Sequence, residues 1–98
     1  LDILKYIPKG KENAISTLEL MNMLNCSMRE VRLVIAKLRS QGHVICSSSR
    51  GGYYFPETRE ELKAFVKILQ GRATGIFRAL RSQRKALEEC KGQEVIKA

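Results

Sequence analysis

Apolar residues recur at helical spacing in four stretches, and two short β-prone runs interrupt the series. Leu1, Ile3, Leu4 and Ile7 predict a short first helix, which Pro8 and Gly10 stop. Residues 8–13 are polar and read as a loop. Ala14-Ile15 reads as a brief extended piece. Three Ser/Thr-x-x-Glu boxes then stand just ahead of three apolar periodicities. Ser16-x-x-Glu19 precedes Leu18, Leu20, Met21 and Leu24. Ser27-x-x-Glu30 precedes Val31, Val34, Ile35 and Leu38. Thr58-x-x-Glu61 precedes Leu62, Phe65, Val66 and Leu69. In such a box the hydroxyl accepts from an early free N–H, and the Glu reaches back to the cap. Three boxes in register with three patterns predict three helix starts.

Only Asn25 and Cys26 separate the end of one helix, near Leu24, from the next cap, Ser27. Two helices joined so tightly cross at a large angle. Gly42 is placed to end the second of them. His43-Val44-Ile45-Cys46 and Tyr53-Tyr54-Phe55 flank a Ser/Gly turn and predict a hairpin, with one tyrosine in the core and one exposed. Pro56 ends its second strand. From about Arg59 to Cys90 the chain reads as one long helix, weakened locally by Gly71 and Gly75. The order therefore predicts an α+β, mainly helical fold. Its parts are a compact domain over residues 1–57 and a long basic amphipathic helix over 58–98.

That last helix carries its own pattern. Leu62, Val66, Leu69, Ala73, Ile76, Leu80, Gln83, Leu87 and Cys90 alternate spacings of four and three, a heptad seam with one polar member. Such a seam is buried against its own domain or against a second chain. The part beyond Leu69 has little of its own domain left to cover, so a homodimer is expected, with Leu69, Ala73, Ile76, Leu80 and Leu87 in the seam. Gly71 and Gly75 permit a close helix approach or mark a bend.

Charge changes the picture. Eighteen Lys and Arg against ten Asp and Glu leave +8 on 98 residues, which points to a polyanionic partner. The excess is uneven. Between Leu62 and Leu87 there are seven cations and no acidic residue. Lys63, Lys67, Arg78, Arg81 and Lys85 fall within an arc of roughly 60° on a helical wheel. They form a candidate phosphate-contacting face; anionic lipid or an acidic protein also suits such a stripe, but the apolar face lacks the Trp anchors of a membrane-surface helix.

On the helix after Ser27, Val31, Val34, Ile35 and Leu38 form the core stripe. Arg29, Leu33, Ala36 and Ser40 lie opposite, flanked by Arg32 and Lys37. A groove-facing surface needs small residues for close approach and long donors for base edges and phosphates. Arg29 and Arg32 sit in the first turns, where such a helix meets base edges, and Arg bonds guanine in bidentate fashion. Leu33 offers no hydrogen bond. It suits a thymine methyl or a protein partner. In the hairpin turn, the Ser47–Ser49 hydroxyls suit phosphate oxygens, and Arg50 suits a minor groove.

Helix, extended piece, helix, tight turn, helix, hairpin resembles the winged helix-turn-helix family. Ser16-Thr17-Leu18-Glu19-Leu20 is similar to the start of that family's support helix. Ser27-Met28-Arg29-Glu30-Val31-Arg32 is similar to the start of its recognition helix. Leu38-Arg39-Ser40-Gln41-Gly42-His43-Val44-Ile45 resembles the passage into the wing, and Gly51-Gly52-Tyr53-Tyr54-Phe55 its return strand. The match covers residues 1–57, and its flavour is that of small winged-helix proteins of Gram-positive bacteria and their phages. The resemblance implies a two-strand wing and DNA-binding residues Ser27, Arg29, Arg32, Leu33, Lys37, Ser40, Ser48 and Arg50.

Two functions follow as expectations. One is sequence-specific double-stranded DNA binding as a dimer, serving transcriptional regulation or replication-site recognition. The other is a protein-interaction module that uses the same scaffold without reading DNA. An enzyme is not expected. His43 stands alone at a helix-to-strand junction, Glu60-Glu61 and Glu88-Glu89 are helix-end charges, and Gly51-Gly52 lacks the Lys and helix of a phosphate loop. Cys26, Cys46 and Cys90 form no CxxC pair and read as reduced thiols of a cytoplasmic, bacterial or phage-encoded protein. No metal, cofactor or small-molecule substrate is expected. No apolar run approaches the roughly 18 residues of a membrane span, and no signal peptide is legible. The chain opens at Leu1 without a methionine, as a piece of a longer protein would.

Overall fold

A computed structural model describes residues 2–90. The chain divides into two compact units, Leu1–Phe65 and Val66–Ala98. The first unit holds β1 (Ile15–Ser16), α1 (Thr17–Leu24), α2 (Met28–Ser40), β2 (Cys46–Ser47), β3 (Gly52–Tyr54) and the first turns of α3 (Arg59–Glu89). The remainder of α3 lies in the second. No helix among the described residues is long and apolar enough to cross a membrane.

The helix starts follow from their caps. Ser16 Oγ accepts from the Glu19 N–H at 3.0 Å, and Glu19 accepts in turn from the Ser16 N–H at 3.4 Å, a complete box. Ser27 Oγ accepts from the Glu30 N–H at 3.1 Å. Thr58 Oγ1 accepts from the Glu61 N–H at 3.1 Å. α1 ends on Asn25 in the left-handed conformation, φ 50°, which Asn tolerates better than most residues. α2 ends on the motif that Gly42, at φ 100°, makes possible. The Gly42 N–H bonds the Arg39 carbonyl and the His43 N–H bonds the Leu38 carbonyl, both at 3.0 Å. α3 runs unbroken through Gly71 and Gly75.

Expectations about the N-terminal and hairpin segments are corrected. In place of the short first helix, the described residues of this run form only a three-residue 3-10 turn, Leu4–Tyr6, because Ile7 is already extended ahead of Pro8; Leu1 lies outside the described residues. A second 3-10 turn, Lys11–Asn13, occupies the expected loop. The hairpin expected as a two-strand unit lies in a three-stranded antiparallel sheet, order β1-β3-β2. Ile15 pairs with Tyr53 and Cys46 with Tyr54. His43 and Val44, expected in the first strand, are exposed and outside it.

Both tyrosines of β3 are buried, where one was expected to be exposed. Successive strand residues point to opposite faces, and both faces of this sheet are covered. Tyr53 packs with Ile3, Ile7, Leu20, Val31, Ile35 and Ile45 on the α1/α2 side. Tyr54 packs with Cys46, Phe65 and Leu62 under the start of α3. That second cluster is why the first unit extends to Phe65, beyond the division after residue 57. Each fully buried aliphatic side chain contributes about 1.5–3 kcal/mol.

Candidate nucleic-acid interface

The interior stripe of α2 is fixed by Val31 and Ile35, at 0% and 1% exposure. The opposite face is thereby turned outward. Arg29, Arg32, Leu33, Ala36, Lys37 and Ser40 are all exposed, Leu33 at 58%. Among the described residues, Arg29, Arg32 and Lys37 take part in no ion pair. Their charges are free to meet a ligand. Ser27, at the N-terminus of this face, is engaged as the helix cap. Ser40 Oγ donates to the Lys37 carbonyl at 2.7 Å, so its hydroxyl hydrogen is turned back onto its own helix.

The hairpin turn divides in the same way. Ser48 is half-buried and holds the turn. Its N–H donates to the Gly52 carbonyl at 2.8 Å, its carbonyl accepts from the Gly51 N–H at 3.0 Å, and its Oγ accepts from the Gly52 N–H at 3.1 Å. Ser49 and Arg50 are exposed at the tip. The turn is anchored from below by Thr17, whose Oγ1 donates to the Gly51 carbonyl at 2.8 Å. An open groove of about 680 Å³ runs beside it, lined by Lys11, Glu12, Ala14, Ser16, Ser48, Ser49, Arg50, Gly52 and Glu61. α2 and the turn therefore present Arg29, Arg32, Lys37 and Arg50 from one compact unit, while Ser48 and Ser40 serve the backbone.

Arg39 was not singled out by the sequence, and it ties α2 to the hairpin. Its Nε donates to the Ile45 carbonyl at 2.8 Å and Nη2 to Ser47 Oγ at 3.3 Å. The guanidinium lies 5.2 Å from the Phe65 ring centre and 6.0 Å from that of Tyr53. The signal that could have found it is angular: Arg39 sits beside Ile35 at the edge of the core stripe. Glu61, singled out by the sequence only for its capping box, also joins separate segments. Its carboxylate accepts from the Glu57 N–H at 2.8 Å and the Lys11 N–H at 2.9 Å. The bond from Glu57 first, then that from Lys11, holds its pKa below the ordinary carboxylate value.

Burial pushes the Cys46 pKa up, against the opposing Arg39 charge, and burial likewise raises the Tyr54 phenol. No group of three His, Cys, Asp or Glu among the described residues is placed to hold a metal ion. The five cations of the α3 face, Lys63, Lys67, Arg78, Arg81 and Lys85, are all exposed. So are the seam residues Leu69, Ala73, Ile76, Leu80 and Leu87. Comparison of the chain with known protein families, with curated proteins and with solved structures gives no match.

Proposed function

We propose that the chain is a winged helix-turn-helix protein that binds double-stranded DNA sequence-specifically as a homodimer, for transcriptional regulation or replication-site recognition. The observation that carries this reading is the outward face of α2. Three unpaired cations flank small residues there, on a helix whose other face is locked into the core. Arg29 and Arg32 read base edges from the first turns, Lys37 grips phosphate, and Arg50 reaches the duplex from the hairpin tip. The exposed apolar residues of α3, Leu69, Ile76, Leu80 and Leu87, supply the dimer seam.

The test is binding to a preferred duplex selected from a random pool. Arg29→Ala and Arg32→Ala should each cost about 1–3 kcal/mol at the preferred site and relax its sequence preference. A two-fold dimer should leave a footprint of two-fold symmetry on an inverted repeat. Tight, selective binding unchanged by both substitutions refutes the assignment. One observation favours a second reading. Leu33 is 58% exposed in the middle of the α2 face, as a protein-docking surface would have it. Salt separates the two: phosphate contacts make DNA affinity fall steeply as salt rises, whereas an interaction module shows no DNA binding at any salt.

A further inference from the structure

The seam and the cations of α3 lie on opposite sides of one helix. Within the second unit, Lys67, Arg78, Arg81 and Lys85 centre about 150° around the helix from Leu69, Ala73, Ile76, Leu80 and Leu87. In heptad terms the four cations occupy outer positions, b and f, away from a dimer seam. Burying the seam against a second copy leaves all four in solvent. Their separation is costly to the isolated helix. Arg78, Arg81 and Lys85 succeed one another at spacings of three and four, where like charges repel. Among the described residues none of the four has an ion-pair partner. No carboxylate lies between Leu62 and Leu87; Glu88 and Glu89 follow Lys85 by three and four residues, at the stripe's end.

We propose that this stripe is a second nucleic-acid contact, one that binds phosphates without reading sequence. The inference deepens the DNA-binding reading above and rests on it for the identity of the polyanion. From Lys67 to Lys85 the stripe extends about 27 Å at 1.5 Å per residue. A linear array of point charges and guanidinium forks on that scale matches a regular line of phosphates, and it contains no apolar residue with which to recognise bases. A membrane surface fits the geometry less well. A helix sunk in the interface places its cations at the rims of the apolar face, from which they snorkel to headgroups. These four point away from that face. Lys63 continues the stripe by one turn but belongs to the first unit, so the proposal is confined to the other four.

The experiment measures affinity of the full chain for a random-sequence duplex over a range of salt. The test variant is Lys67→Gln, Arg78→Gln, Arg81→Gln and Lys85→Gln together. Gln keeps helix propensity close to that of Lys and Arg, and circular dichroism verifies the helix. The slope of log affinity against log salt should lose up to about 3.6 of its magnitude, 0.9 for each phosphate contact removed. A charge-preserving variant, Lys67→Arg, Arg78→Lys, Arg81→Lys and Lys85→Arg, should retain the slope. An unchanged slope in the Gln variant overturns the proposal. So does an unchanged slope accompanied by lost binding to phosphatidylserine–phosphatidylcholine vesicles, which makes the stripe a lipid contact. The α2 reading is judged separately, by sequence preference. A chain with no preferred site whose slope still falls in the Gln variant refutes that reading and supports this one.

Discussion

Glu61 shows how one side chain can couple three segments of the first unit. Its backbone N–H is capped by Thr58, and its carboxylate receives N–H groups from Glu57 and from Lys11. The sequence places Glu61 in a capping box, where it should reach only to the cap. The long-range bond to Lys11, fifty residues away, comes from tertiary packing that no local spacing encodes. The bonds favour the charged form, so the folded pKa lies below the unfolded one. Stability from this group is therefore fully present above its ordinary value of 4.5 and is lost as pH falls through the lower folded value. Glu61→Gln replaces one acceptor by a donor facing an N–H. The variant should be less stable than the parent at neutral pH, and the gap between their urea midpoints should close as the solution is acidified below the folded value. A gap independent of pH would remove Glu61 from this role. Arg39 belongs to the same scale. Nothing in its neighbours distinguishes it from Arg29 or Arg32, yet it is half-buried and bonds the hairpin. The difference is one of angle: Arg39 meets the edge of the core, and the other two point away from it.

At the scale of elements, local signals were legible and pairings were not. Hydroxyl caps, the left-handed Gly42 and the core stripe of α2 are decided within a few residues, and each is where the sequence places it. The third strand is different. β1 is two residues long and becomes a strand only by pairing with β3, some forty residues later. The burial of Tyr54 likewise depends on Leu62 and Phe65 arriving from α3. Gly52 is the point at which this non-local pairing is tightest. A Cβ there would stand 3.1 Å from the Ala14 Cβ, 3.2 Å from the Ile15 carbonyl oxygen and 3.3 Å from Ser48 Oγ. Two of those neighbours belong to the opposing strand segment, and the third holds the turn. Gly52→Ala should therefore push β1 from β3 and loosen the hairpin, at a cost of about 1–3 kcal/mol. Urea unfolding measures the loss. Amide exchange should show it concentrated at the Thr17–Gly51 and Ser48–Gly52 bonds, the contacts that hold Arg50 at the tip. Undiminished stability would mean that the strands yield at no cost. The candidate site was legible as a helix face and a turn. It was not legible which of its hydroxyls are already engaged, because that depends on rotamers that the sequence pattern does not carry.

At the scale of the whole molecule, the outstanding feature is the exposed apolar surface along α3 among the described residues. Ile76 is 68% exposed, Phe77 69% and Leu87 74%, while Leu69 and Leu80 are each at 40%. An amphipathic helix is stable in water chiefly through what its apolar face packs on. In the proposed homodimer a second copy would supply that packing through the heptad spacing, with Gln83 as the seam's one polar position. Each large aliphatic residue buried in such a seam contributes about 1.5–3 kcal/mol per chain. Ile76→Glu with Leu80→Glu removes two of them and places like charges across the interface. Glu is a good helix former, so local helix propensity is preserved. Sedimentation equilibrium should find the parent chain dimeric and the double variant monomeric at the same concentration. On DNA, the variant should lose the advantage of an inverted repeat over a single half-site while keeping its sequence preference at the half-site, because Arg29, Arg32 and Lys37 are untouched. A parent chain that sediments as a monomer, or a variant that stays dimeric, would assign the apolar face of α3 to some other occupant. It would also require a monomer to account for any two-fold site.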